Sequence, residues 1–563
     1  MAEIQMRRLC VALIVDDAPQ RSVCWDLIER SKKAKSYSIE FLVVQQKPIK
    51  VDSGSFVSRI FRHLRQHGLK SLTGKIGFLL IEKVEKVRTL RDRKYKDFYR
   101  SYSLDDLGIE RLYVRPLVSK SGFVYRYAQD DLQKITARNP DILIRCGSGI
   151  LWGQILEAAR FGILSFHHAN NAINRGTPAG FWEVFNREPS TGFIIQRLST
   201  ELDGGDVLFR GSIPTSPSYV LNAIRLYLKS NVFMHNLLER IGETGALPSA
   251  YPKAPYAHPL YKAPALREQI KYVSKKLARS GNGFINRVRR KTLRWGVAYQ
   301  FVDDWKSAVL WRSTVIRNPP NRYLADPFVL RKNNSHVCFV EDYNTSTNTG
   351  HITAFKIDRE GYTELGCALQ EDFHMSYPFV FEDSSELYMC PETQAAREIR
   401  LYKCVSYPLG WKLHRILMKE ISAADTTLFK RDGKWWMFTN IDTSESGDHC
   451  SELHVFYSDD LDSSNWTPHP MNPVIFDSTR ARNGGLLFDR DGIYRVFQVQ
   501  GFGVYGESMG IARITELTTG RYEEQVVYSI TPSFFAGLIG THTCSFAGGL
   551  LAIDFLKYEP YKN

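Results

Sequence analysis

Residues 140–209 read PDILIRCGSGILWGQILEAARFGILSFHHANNAINRGTPAGFWEVFNREPSTGFIIQRLSTELDGGDVLF. Pro140-Asp141 opens an apolar run, Ile142 to Ile144, that stops at Cys146-Gly147. A short apolar run ending in a glycine turn is the pattern of a buried parallel strand, and open α/β sheets place ligands at such strand ends. The spacing predicts a helix over Gln154–Phe161 and a second strand over Gly162–His167.

Outward from this stretch the same texture continues. Leu9–Val15 and Ile39–Val44 are apolar runs on either side of a helical pattern at Val23–Ile28. A strand–helix–strand opening implies a right-handed crossover and a parallel sheet. Leu112–Val114 reads as a further strand and Tyr127–Ala137 as a helix. Beyond residue 300 the chain changes to short strands with Gly, Asn and Asp turns. A strand followed by a polar turn and a second strand recurs five times, anchored on Leu330, Phe381, Phe429, Phe488 and Phe546. Five such units predict an all-β, five-bladed propeller rather than a sandwich. The expected organisation is a Rossmann-like α/β domain over 1–215 with a basic insertion at about 50–105, a helical and basic connecting region over 216–300, and the propeller over 301–563.

The 563 residues are too many for one core, and 43% hydrophobic with 24% charged is the balance of a folded chain, not a disordered one. No window approaches the run of roughly 18 apolar residues that a spanning helix needs. Asp16 and Asp17 interrupt the N-terminal apolar run, so it reads as a strand and not a signal peptide. Nine cysteines without a C-x-x-C pair offer no zinc site and suggest reduced thiols. No metal is expected, and the expected compartment is cytoplasmic. The net charge of +14 is concentrated in two segments. Arg59–Arg100 holds 13 basic and 4 acidic residues, and Arg267–Arg294 holds 10 and 1. Phe56, Val57, Ile60, Phe61 and Leu64 lie at helix-like spacing at and just before the start of the first patch, which suits peripheral contact with an anionic membrane surface. Nucleic acid is not an expected partner.

The ordered features of 140–209 resemble the catalytic core of folate-dependent formyltransferases, the family of glycinamide ribonucleotide, methionyl-tRNA and sugar N-formyltransferases. The shared order is a Pro-Asp strand with a Gly loop, a strand ending in His, Arg-Gly eight residues later, a Thr-Gly strand, and Leu-Asp-Gly-Gly-Asp. The resemblance implies that N10-formyltetrahydrofolate is the formyl donor. It makes His167 the oxyanion donor and Asp203 the carboxylate that orients it. It places the pterin against Cys146, Gly147, Gly149, Ile150 and Leu151, with Leu202, Gly204 and Gly205 closing the pocket. Ser165 stands where the family has Asn, and His168, where the family usually has Pro, is a candidate replacement donor. Asn170, Asn174 and Arg175 are candidate acceptor contacts.

The second half resembles five-bladed glycosidase-type propellers, and more closely, over about 305–530, the propeller of plant glucosamine inositolphosphorylceramide transferases, through LADPFV, SYPFVF, PET, KWWMF and ARNGG. Asp326, Glu341, Glu392, Asp425, Arg482 and Asn483 lie at equivalent strand ends that converge on a propeller axis. Together these resemblances imply formyl transfer to an amino sugar, nucleotide-linked, in surface-polysaccharide synthesis, with carbohydrate also at the propeller. The alternatives are a carbohydrate-binding protein with a silent formyltransferase-like domain, and a glycosidase working through Asp326, Asp425 and Glu392.

Overall fold

The structure, a computed structural model, describes residues 7–46, 74–120, 122–201, 204–253 and 255–560. The chain forms two compact units, dividing between Lys275 and Lys276, with Glu188–Ser190 and Ile213–Thr215 grouped with the second. The apolar stripe expected at 56–64 lies outside the described residues.

The first unit holds a seven-stranded sheet in the order 206–214, 190–197, 163–167, 142–145, 9–16, 37–45, 110–114. The strands Ile163–His167, Ile142–Arg145, Leu9–Asp16, Tyr37–Gln45 and Glu110–Val114 pair in parallel, and Ser190–Arg197 runs antiparallel to the first of them. Their continuous apolar runs are buried on both faces: Val11–Val15, Leu42–Val44 and Ile142–Ile144 are fully enclosed. The helix expected over Gln154–Phe161 is a single 3-10 turn, Gln154–Glu157. The chain cannot continue it, because Arg160 and Phe161 donate main-chain hydrogen bonds back to Pro140 and Asp141 and tie the segment to the preceding strand. Helix Tyr219–Thr244 packs against helices Ser22–Lys33 and Phe181–Asn186. From the basic insertion, residues 74–89 form a helix that lies beside Leu266 and Gln269, with Gly74 and Gly77 at the contact.

The second unit is a five-bladed propeller. Four blades are consecutive meanders opening at Arg322, Ser376, Ala423 and Asn483; three have four strands, and the one opening at Ala423 adds a fifth, Ile475–Phe476, paired with its third strand. Each inner strand touches the next, and Cys544–Ala547 of the fifth touches Arg322–Lys332 of the first, closing the ring. The predicted inner and second strands all fall within observed strands. The fifth blade is built from both ends of the unit. Lys291–Phe301 pairs antiparallel with Leu550–Pro560 over eleven residue pairs, and Thr314–Ile316 adds to its outer side. The last residues of the expected connecting region are therefore propeller strand. Closure by a distant N-terminal strand removes the open edges that the first and last blades would otherwise expose.

Candidate functional sites

In the first unit, His167 ends the strand Ile163–His167, whose neighbour Ile142–Arg145 leads into the Gly loop; both sit at the carboxyl edge of the sheet. His167 Nε2–H donates to the Asn174 carbonyl at 2.9 Å. A carbonyl only accepts, so Nε2 carries the proton and Nδ1 is left for another partner. Asn174 is buried, with its amide donating to Glu183 at 3.2 Å and accepting from the Gly176 amide at 2.8 Å; it holds the loop that holds the histidine. Ser165 shares the face of His167 but is buried, and its hydroxyl donates to the Phe166 carbonyl at 3.3 Å. His168 Nε2–H donates to Ser230 Oγ at 3.1 Å, because that hydroxyl itself donates to the Tyr227 carbonyl. Burial, with His167 adjacent, pushes the His168 imidazole down to about 3, so it is neutral. Asp203 and Leu202 lie outside the described residues.

His167 and His168 line a cavity of about 390 Å³. Its other walls are Arg21 at the start of helix Ser22–Lys33, Glu82, Lys86, Phe98 and Tyr99 from the insertion, the 176–179 loop, and Tyr219 and Tyr227 of the long helix. Lys86 pairs with Glu82 at 2.8 Å and sits over the Tyr99 ring at 4.3 Å. The cavity thus joins aromatic walls to two cationic side chains, Arg21 and Lys86, and one carboxylate, Glu82. The insertion residues of this wall escaped the sequence reading, which treated the segment as a charged surface.

The Gly loop is closely packed by the chain itself. Ser148 donates through its amide and hydroxyl to Asp16, at 3.0 and 2.6 Å. A Cβ on Gly147 would lie 2.6 Å from the Gln45 amide, and one on Gly149, at φ +86°, would lie 2.5 Å from the Tyr125 ring. Leu151 is buried, while Cys146 and Ile150 are half-buried. A Cβ on Gly205 would meet the Arg197 carbonyl at 2.4 Å, and one on Gly204 the Glu201 side chain at 2.6 Å. Asn170 caps its own turn by accepting from the Ala172 amide at 3.1 Å, and Arg175 donates to the Asn171 carbonyl at 3.0 Å beneath the Tyr256 ring.

In the propeller, Asp326, Tyr377 and Asp425 occupy matching bulges on the inner strands of blades one to three, each at φ +48°. A left-handed conformation repeated at three non-glycine residues is costly backbone, of order 1–3 kcal/mol each, and marks a built site. Asp425 accepts from Arg482 Nε at 2.6 Å and Nη2 at 3.3 Å, and from Gln498 Nε2 at 2.9 Å. Glu392 lies 3.5 Å from the same guanidinium, which rests 4.9 Å from the Tyr505 ring. Asn483 is fully buried and donates to the Asp425 and Phe438 carbonyls, so it braces the strand. Glu341 lies 3.7 Å from His374.

Two groups of this cluster escaped the sequence reading. His542 Nδ1 lies 2.5 Å from Asp554 and 3.7 Å from Asp326, with its ring stacked on Trp295 at 3.9 Å. Asp554 also accepts from the main-chain amides of His542 and Thr543. Asp326, His542 and Asp554 bring three potential ligand atoms within 4.8 Å of one another. The repeat held the signal for His542. Asp326, Tyr377, Asp425 and His542 each stand four residues before the anchors Leu330, Phe381, Phe429 and Phe546.

Burial pushes Asp326 up to about 6, against the pull of His542, and pushes Glu392 up to about 8, with Asp425 adding and Arg482 opposing. Glu341 is pushed well above the ordinary range by burial and then by Asp326 and Glu392. Burial opposes the charge on His542, but Asp554 and Asp326 hold it above the usual imidazole value. At neutral pH Glu392 therefore carries a proton beside Asp425. A carboxyl that binds protons more tightly folded than unfolded stabilises the fold below its unfolded pKa, and this contribution is lost as pH rises through about 8. The propeller's melting temperature should fall as pH rises across that window, and Glu392→Gln should flatten the fall; thermal unfolding of both chains across the range checks this.

Residues 290–533 match the family described as "Glucosamine inositolphosphorylceramide transferase 1, N-terminal". Glucosamine inositolphosphorylceramide transferase 1 of Oryza sativa subsp. japonica is 36% identical over 210 residues, covering 36% of this chain and 28% of that protein. The Arabidopsis thaliana protein of that name is 35% identical over 220 residues, covering 38% and 28%. The chain thus spans under a third of the length of these relatives. Methionyl-tRNA formyltransferase of Citrifermentans bemidjiense is 24% identical over 178 residues, covering 31% of this chain and 54% of that enzyme. Among solved structures, the catalytic domain of a Coprinopsis cinerea GH62 α-L-arabinofuranosidase aligns with 47% of this chain and 97% of its own at 10% identity and TM-score 0.33. Glycinamide ribonucleotide transformylase 1 of Symbiobacterium toebii aligns with 42% and 89% at 10% identity and TM-score 0.26. The N-terminal part is formyltransferase-like, and the C-terminal part is a propeller similar to that of the plant transferases.

Proposed function

We propose that the first unit transfers a formyl group from N10-formyltetrahydrofolate to the amine of an amino sugar, nucleotide-linked and destined for surface polysaccharide, and that the propeller engages carbohydrate at its axial cluster. The observation that carries this is the placement of His167: at the carboxyl edge of a parallel sheet, tied through Nε2 to a carbonyl, and facing a cavity with aromatic and cationic walls. The donor supplies an activated one-carbon acyl group. The acceptor's neutral amine forms the new C–N bond, the bond to N10 breaks, and the amine proton passes to N10. His167, held through Nε2 by the Asn174 carbonyl, donates a proton from Nδ1 to the developing oxyanion. Asp203 supplies the balancing carboxylate. The loop 146–151 at the neighbouring strand end holds the pterin, and Arg21 with Lys86 receives the acceptor's anionic substituent.

Incubation of the full chain with formyltetrahydrofolate and a panel of nucleotide-linked amino sugars, read by mass spectrometry, tests the reading: one acceptor should gain a single formyl group. Arg21→Ala should raise the acceptor's KM roughly tenfold, the loss of one charged hydrogen bond, with kcat little changed; steady-state kinetics check it. The second reading, a carbohydrate-binding protein with a silent first unit, is favoured by Ser165, which is buried and whose hydroxyl donates to the Phe166 carbonyl. It predicts binding of sugar at the propeller with no formyl product from any acceptor.

A further inference from the structure

The axial cluster of the propeller carries more acid than its cations offset. Five carboxyl groups, Asp326, Glu341, Glu392, Asp425 and Asp554, act on one another there, against Arg482 and His542. Both cations are already committed. Arg482 donates to Asp425 at 2.6 and 3.3 Å, and His542 Nδ1 lies 2.5 Å from Asp554. Glu392 has only the outer reach of the guanidinium, at 3.5 Å. Asp326 accepts hydrogen bonds from neutral donors, the Thr543 hydroxyl at 2.7 Å and the Tyr377 amide at 3.3 Å. Two acceptors are left without a donor. Glu341 is 8% exposed and its carboxyl makes no hydrogen bond among the described residues; the His374 imidazole is 3.7 Å away. Gln498 is fully buried. Its Nε2 donates to Asp425 at 2.9 Å and to the Asn483 carbonyl at 2.7 Å, which fixes the orientation of the amide, and its Oε1 has no partner.

A buried acceptor without a donor costs free energy that a ligand's N–H recovers. A cationic nitrogen meets both needs of this cluster, bringing positive charge to a surplus of carboxylate and several N–H donors to unpaired oxygens. Burial, and next to it the neighbouring carboxylates, holds Glu341 and Glu392 above the ordinary carboxyl range, so the empty cluster offsets its surplus with protons that a bound cation would replace. A metal ion is the poorer occupant. His542 Nδ1, the ring nitrogen that faces Asp326 and Asp554, gives its proton to Asp554 and has no lone pair to offer. We propose that the axial cluster binds a sugar through its protonated amine, so that the propeller selects amino sugars whose nitrogen is free over those in which it is acylated. The proposal rests on the carbohydrate reading of the axis given above and names the class of sugar.

The test is calorimetric titration of the full chain with glucosamine, N-acetylglucosamine and glucose at about pH 6.5, where the amine is protonated. Glucosamine should bind roughly tenfold or more tightly than either of the others, the difference made by one charged hydrogen bond. Glu341→Gln keeps the shape of the side chain and removes its charge; it should weaken glucosamine roughly tenfold and leave glucose where it was. Melting temperatures of the two chains show whether the variant folds, and the comparison of the three sugars on the unaltered chain needs no variant. Equal binding of the three sugars would overturn the proposal and leave the carbohydrate reading standing. No binding of any sugar would overturn both. Glucosamine binding indifferent to Glu341→Gln would also defeat it. So would calcium binding that Glu341→Gln abolishes while glucosamine binds no better than glucose, which would assign the cluster to a metal.

Discussion

His167→Ala is expected to reduce formyl transfer roughly 10²–10⁴-fold, the range over which a positioned proton donor contributes. The substitution removes one hydrogen bond, His167 Nε2–H to the Asn174 carbonyl, from a loop that Asn174 itself secures through Glu183 and Gly176. Folding should therefore survive, and the loss should fall on kcat while affinity for the donor is retained. Rates with the identified acceptor, together with donor affinity by calorimetry, check both halves. Full activity in the variant would defeat the assignment of the histidine. His168→Gln is the informative neighbour. His168 is neutral and occupied by Ser230, so its removal should disturb the cavity wall rather than the chemistry and alter KM more than kcat.

The largest effect on stability is expected in the fourth blade. Arg495 and Glu524 are fully buried and joined by two hydrogen bonds of 2.8 Å. Arg495 also donates to the carbonyls of Arg480 and Ala481, immediately before the axial Arg482, and Tyr522 donates to Glu524. Glu524→Ala leaves a guanidinium uncompensated in the core and should cost about 3–5 kcal/mol. Denaturant unfolding followed by tryptophan fluorescence measures it. Arg521 offers the control: it forms ion pairs with Glu516 and Glu523 at the surface, and Arg521→Ala should leave the transition where it was. Because the buried pair also anchors 480–481, Glu524→Ala should loosen Arg482 from Asp425 and weaken sugar binding at the axis.

Both architectures were legible because each rests on local signals. Buried parallel strands announce themselves as apolar runs, and five blades repeat one short pattern of strand and turn. What was hidden depends on pairing at long range. Lys291–Phe301 carries basic residues and reads as linker, yet its partner Leu550–Pro560 lies some 250 residues away and only ring closure brings them together. Glu82, Lys86, Phe98 and Tyr99 looked like a charged insertion, because nothing local shows that it turns in beside His167. Asp554, in the middle of the strand Leu550–Pro560, gives no sign that it holds His542. Conversely, Asn174 and Asn483 read as candidate contacts because polar side chains beside motifs invite that reading, whereas in the structure Asn174 is engaged by Glu183 and the Gly176 amide and Asn483 by two main-chain carbonyls.

The most direct test of the account is a crystal structure of the full chain with a stable folate analogue such as 5-formyltetrahydrofolate. The account predicts the pterin against residues 146–151 and the carbon-bearing nitrogens within about 3 Å to one water's reach of the His167 ring. An analogue bound elsewhere, or no binding because Asp16, Gln45 and Tyr125 keep the loop closed, would contradict it.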